Sequence, residues 1–191
     1  MPNWCNNVLE ISHTDAGMMK RVKESYAKGE LLNEFIPVPA DLQIVAGYLG
    51  DANEQKELER KTAENVKNHG YGNWYDYCVG EWGTKWDISP YENITETSDG
   101  LVLGFDTAWS PPVKAYEKLL DLGFTIRAYY YEPGMGYAGV WEDGFDEEYS
   151  IEGSADDVAA EIPEALDEMF NITENMRQWE EENQENEQDE E

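Results

Sequence analysis

Between Leu101 and Tyr131 the chain changes hydrophobic period twice, and no other stretch limits its fold so tightly. Leu101, Leu103 and Phe105 alternate as in a strand with one buried face. Ser110-Pro111-Pro112 then reads as a helix start, with Ser110 as the capping side chain and Pro111 in the first turn. Val113, Tyr116, Leu119 and Leu120 form one apolar stripe, and Gly123 closes the helix. Phe124, Ile126, Ala128 and Tyr130 next alternate with Thr125, Arg127, Tyr129 and Tyr131. A strand, a helix and a strand joined this closely must bury a shared layer, which points to the α+β class. Ser98-Asp99-Gly100, between Ile94–Thr97 and the first of these strands, adds a hairpin corner.

The flanks extend the pattern. Leu9 and Ile11 share one face of an opening strand, and Thr14 or Asp15 can cap a helix carrying Met18, Met19, Val22 and Tyr26, with Gly29 at its end. Phe35-Ile36-Pro37-Val38-Pro39 through Leu42 reads as an apolar loop, because proline donates no hydrogen bond to a central ladder. Residues 51–72 form a charged helical insertion, with Glu57 and Lys61 four apart and Leu58, Ala63 and Val66 available for burial. Gly70 to Tyr75 reads as an aromatic turn. After Glu132-Pro133-Gly134, strands are expected at Tyr137–Trp141 and Phe145–Ile151, the latter with Phe145, Tyr149 and Ile151 inward. Ser154 and Asp157 have capping-box spacing ahead of Val158, Ile162, Leu166 and Phe170, and Pro163 should kink or restart that helix. Beyond Trp179 no apolar residue follows, so a disordered acidic tail is expected over 180–191. The order fits a ferredoxin-like antiparallel sheet with helices on one face. Residues 1–141 would be that domain, and 142–179 an acidic strand-helix extension packed on it.

Charge narrows the partners. The chain holds 42 acidic and 13 basic side chains, a net charge of −29. From Glu132 onward there are 22 acidic residues and one basic residue, Arg177, leaving 20 acidic and 12 basic before it. Such a field repels phosphate backbones and anionic lipid surfaces and steers association toward basic proteins. The plainer alternative is that the acidity only keeps the chain in solution. Cys5 and Cys78 are the only cysteines, which suits a reducing cytoplasm, and His13 and His69 read as surface residues. Neither a charged-then-apolar leader nor an apolar run of membrane-spanning length is present, so a soluble, unprocessed protein is expected.

Several motifs occur together in order: Met1-Pro2-Asn3-Trp4-Cys5-Asn6-Asn7, Phe35-Ile36-Pro37-Val38-Pro39, Trp82-Gly83-Thr84-Lys85-Trp86-Asp87, Phe105-Asp106-Thr107-Ala108-Trp109-Ser110-Pro111-Pro112, and Tyr131-Glu132-Pro133-Gly134 to Gly139. Over residues 1–141 the chain thereby resembles the Api92-like (YubB-type) family of phage and plasmid proteins. That resemblance implies a ferredoxin-like domain and a mobile-element origin, most simply a bacteriophage. It brings no catalytic residues, and the acidic region beyond residue 142 lies outside the pattern.

Two candidate sites follow. Lys85, Asp87, Asp106 and Glu132, close in sequence to Trp82, Trp86 and Trp109, could form a small-ligand pocket in which the rings exclude water and the charges orient a substrate. Alternatively, Lys85 pairs with a carboxylate and the tryptophans plug the core edge. Separately, Glu142, Asp143, Asp146, Glu147, Glu148, Glu152, Asp156 and Asp157 could display a row of charge resembling a phosphate backbone. Glu142 to Glu148 lacks calcium-loop spacing, and no metal or cofactor is expected. The expected function is non-enzymatic. The protein would bind and modulate a basic host protein, nucleic-acid-binding or defence-related, in the host cytoplasm through a DNA-mimicking surface. The alternative is a ligand-binding or enzymatic role at the tryptophan loops.

Overall fold

A computed structural model describes residues 3–189. At its centre is β1 (Trp4–Ser12), whose Cys5, Asn7, Leu9 and Ile11 are all buried on one face. The helices that follow are α1 (Ala16–Tyr26), α2 (Leu31–Phe35), α3 (Ala52–His69) and α4 (Trp74–Glu81). Then come β2 (Ser89–Glu96), β3 (Leu101–Ala108), α5 (Val113–Asp121), β4 (Thr125–Glu132), β5 (Tyr137–Glu142) and β6 (Phe145–Ser150). The chain ends with α6 (Ala155–Glu161), α7 (Glu164–Phe170) and α8 (Ile172–Asp189). All strand pairs are antiparallel, in the order β2-β3-β1-β4-β5-β6. The first four strands with α1 and α5 have the βαββαβ arrangement of a ferredoxin-like α+β fold.

Register sets the core. Leu9 stands opposite Leu103 on one side and Ala128 on the other, so these side chains share a face. That face meets Val22 and Tyr26 of α1, Leu31 and Leu32 of α2, Cys78 of α4, and Tyr116 and Leu119 of α5. Each large apolar side chain removed from water here contributes about 1.5–3 kcal/mol before entropy is counted. On the opposite face Tyr129 and Ala138 pack against Val158, Ile162, Leu166 and Ile172, with Tyr131, Val140, Phe170 and Met176 around them. The expectation of helices on one face therefore holds for α1 and α5, while α6 to α8 cover the other face. The reason is in β4: its odd positions carry Tyr129 and Tyr131, which also need burial.

Other details depart from expectation. Ser110 caps nothing; its hydroxyl donates to Gly83 O at 2.7 Å, and α5 begins at Val113 after Pro112 without a side-chain cap. The aromatic turn expected through Tyr75 is the start of a helix: Asn73 Oδ1 accepts from the amides of Tyr75 and Asp76, nucleating α4. On α3, Leu58 is buried as expected, but Ala63 and Val66 face solvent. Asn65 is buried in their place, donating to Asp41 O and Gly72 O. Phe145 is 78% exposed, because β6 is an edge strand and Phe145 lies opposite Glu142 at its outer end. The tail expected to lack structure is helical to Asp189, in keeping with the helix propensity of glutamate and glutamine. Residues 190 and 191 lie outside the described residues. Pro163 restarts the chain as α7, and the Ser154–Asp157 capping box is present.

Candidate functional site

A groove of about 500 Å³ lies where α4 meets the loops after it and after β3. Trp74, Tyr75 and Val79 of α4 form one wall, and Lys85, Trp109 and Ser110 contribute the other. Two backbone features shape it. Gly83 turns with φ +86°, so close to the first amides of α5 that an added Cβ would sit 3.3 Å from the nitrogens of Val113 and Lys114. Trp109 has φ +76°, a left-handed conformation unusual for a bulky residue. It is held there from several sides: its amide donates to Asn3 O at 3.0 Å, and Tyr137 donates its hydroxyl hydrogen to Trp109 O at 2.9 Å. Thr107 donates to Ser110 O at 2.8 Å, fixing the next residue.

Lys85 is the groove's cation. Its Nζ lies 4.4 Å from the centre of the Trp86 ring and 5.7 Å from that of Tyr75, within reach of cation–π attraction. Of the two half-buried lysines among the described residues, Lys23 pairs with Glu96 at 2.7 Å, whereas no described carboxylate pairs with Lys85. The alternative in which Lys85 pairs with a carboxylate is not realised among the described residues.

The other pocket residues suggested by sequence are elsewhere. Trp82 is core, its indole N–H donating to Ile36 O at 3.0 Å. Trp86 backs Lys85 and approaches Trp4, with ring centres 6.4 Å apart, without lining the groove. Asp87 clamps the start of α2, accepting from the amides of Leu32, Asn33 and Ile88. Asp106 lies on the opposite sheet face, bound by Asn6 at 2.8 Å and by the Tyr91 hydroxyl at 2.7 Å. Glu132 is wholly buried; one oxygen accepts from the Met135 amide, and Oε1 has no partner among the described residues. The cation is thus in the groove and the three carboxylates are outside it. Sequence reasoning missed α4, which supplies Trp74, Tyr75 and Val79. The signal was Asn73, a strong cap directly before a run of non-glycine residues.

The acidic residues divide by geometry. On β6, Asp146 and Glu148 point to the face carrying Trp141, and Glu147 to the face carrying Val140. A pleated strand therefore splits them and forms no single row. Glu142 pairs with Arg127, Asp146 accepts from the Tyr130 hydroxyl, and Glu147 accepts from that of Tyr149. Asp157 is occupied by its capping box, and Arg177 lies 3.5 Å from Asp156. Asp143 occupies the β5–β6 turn with φ +50°, and Glu152 is exposed beyond β6.

Neither thiol is poised for nucleophilic chemistry. Burial pushes Cys78 up to about 12, with nearby Asp87 adding to it, and burial followed by Glu132 raises Cys5 further. Among the described residues no group of three or more His, Cys, Asp or Glu side chains could hold a metal ion. Nor is any described helix long and apolar enough to cross a membrane.

No protein-family model matches the chain, and no curated protein does. Among solved structures, the crystal structure of protein api92 from Yersinia pseudotuberculosis aligns at 12% identity with a TM-score of 0.43, covering 80% of this chain and 100% of that one. A likeness of that size carries no inference, and the ferredoxin-like assignment rests on the strand order and connections described above.

Proposed function

We propose that the protein is a non-enzymatic binder whose acidic C-terminal portion engages a basic surface on another protein. The observation that carries this reading is the packing of α6 to α8 on the second face of the sheet through Val158, Ile162, Leu166 and Ile172. Carboxylates such as Asp143, Glu148, Glu152 and Asp156 consequently ride on ordered backbone, so less entropy is lost when a partner docks. A net charge of −29 would speed encounter with a cationic partner and make binding fall with salt. The motif resemblance extends the proposal to an Api92-like protein of phage type with a host partner in the cytoplasm, defence-related or nucleic-acid-binding. Strand alternation divides the β6 carboxylates between faces, so the proposed surface is an acidic patch and not a single phosphate-like row.

The test is capture from bacterial lysate at low and high salt by the full chain and by a variant carrying D143N, E148Q, E152Q and D156N. A basic protein held at low salt, released at high salt and lost by the variant is expected. Equal capture by both forms, or recovery of no basic protein, refutes the reading.

A further inference from the structure

We propose that the groove between α4 and Trp109 binds a small aromatic carboxylate, its ring lying against Trp109 and Trp74 and its anionic group on Lys85. This site is independent of the acidic surface. Three observations converge on it.

The first is an uncompensated cation. In a chain with more than three acidic side chains for each basic one, Lys85 is half-buried, sits over Trp86 and Tyr75, and has no carboxylate partner among the described residues. Partial removal of an ammonium from water without a counter-ion is unfavourable, and an incoming anion relieves it. The second is the state of Trp109. It leaves 57% of its surface in water while its backbone holds a left-handed conformation, fixed by Asn3 and Tyr137. Backbone strain of this kind persists only where the surroundings hold it and is concentrated at functional positions; here it presents the indole to the groove. The third is shape. About 500 Å³ lined by Trp74, Tyr75, Val79 and Trp109 suits one small molecule, and the Ser110 hydroxyl, already donating to Gly83, can still accept a hydrogen bond.

Charge sets the ligand class. One ammonium matches one negative charge, while the surrounding field disfavours polyphosphates and other multivalent anions. The aromatic walls favour a flat ring over an aliphatic acid, since rings gain offset or edge contacts with indole beyond simple burial.

The experiment titrates the ¹⁵N-labelled full chain with 2-naphthoate and, separately, with neutral 2-naphthamide, following the indole N–H resonances. Saturable shifts of Trp74, Trp86 and Trp109 with naphthoate are expected, while Trp82 in the core stays still. The amide should bind about tenfold more weakly or worse, the worth of one charge-assisted contact. Lys85→Met should lose the same factor for naphthoate only, and Lys85→Arg should recover part of it. Trp109→Gly should weaken binding while the melting temperature holds, because glycine accepts this backbone conformation without strain. Absence of saturable shifts, equal affinity for acid and amide, or unchanged naphthoate binding by Lys85→Met each overturns the proposal.

Discussion

Asp87 and Asp157 both hold backbone amides at a helix start, yet they respond to pH in opposite directions. Burial raises the Asp87 pKa above its usual 3.8, against the pull of the three amides it binds. The folded state therefore takes up its proton before the unfolded chain does, and stability from this group grows as pH falls from its folded pKa toward 3.8. For Asp157 the Ser154 hydroxyl and amide lower the pKa below 3.8. Its contribution is complete above 3.8 and is lost as pH falls through the lowered value. Urea denaturation of D87N and D157N from pH 7 to about pH 3 should show this contrast. The gap between wild type and D87N should widen toward acid, and that between wild type and D157N should close. Parallel changes in the two gaps would contradict these environments. At neutral pH, D87A should cost about 1–3 kcal/mol, since it leaves amides near the core without an acceptor.

At the scale of elements, α4 decides whether the groove exists. Asn73 is the side chain that starts it, and N73A should cost about 1 kcal/mol in urea denaturation. The same change should also weaken naphthoate binding, because Trp74 and Tyr75 are the first residues of the helix; unchanged binding would show that the wall does not depend on the cap. This helix also marks the limit of sequence reading. The strands and α5 were legible because Leu101, Leu103, Phe105 and the Val113–Leu120 stripe repeat at clear periods. α4 offered no stripe, being flanked by Gly72 and Gly83 and carrying aromatics toward both core and groove. The placement of Asp87, Asp106 and Glu132 was hidden for another reason: nearness in sequence does not say which face of a sheet or which end of a helix receives a side chain. Register, which puts Asn6 opposite Asp106, turns Asp106 to the far face of the sheet, while the amides of Leu32 and Asn33 hold Asp87 at the start of α2.

For the whole molecule, net charge governs stability as well as recognition. Self-repulsion at −29 outweighs what exposed pairs such as Lys20–Glu24 and Lys114–Glu117 return, so screening should help the fold. Raising sodium chloride from about 0.01 to 0.15 M, which shortens the screening length from about 30 to 8 Å, should raise the melting temperature by a few degrees in calorimetry. A fall would mean that surface ion pairs dominate. The helices that cover the second face of the sheet follow its strands in the chain and so leave the ribosome after them. Until they emerge, a nascent sheet closed through β5 displays Tyr129, Tyr131 and Val140 to solvent or to a chaperone. Once out, the acidic segment that covers this aromatic face also keeps neighbouring newly folded chains apart.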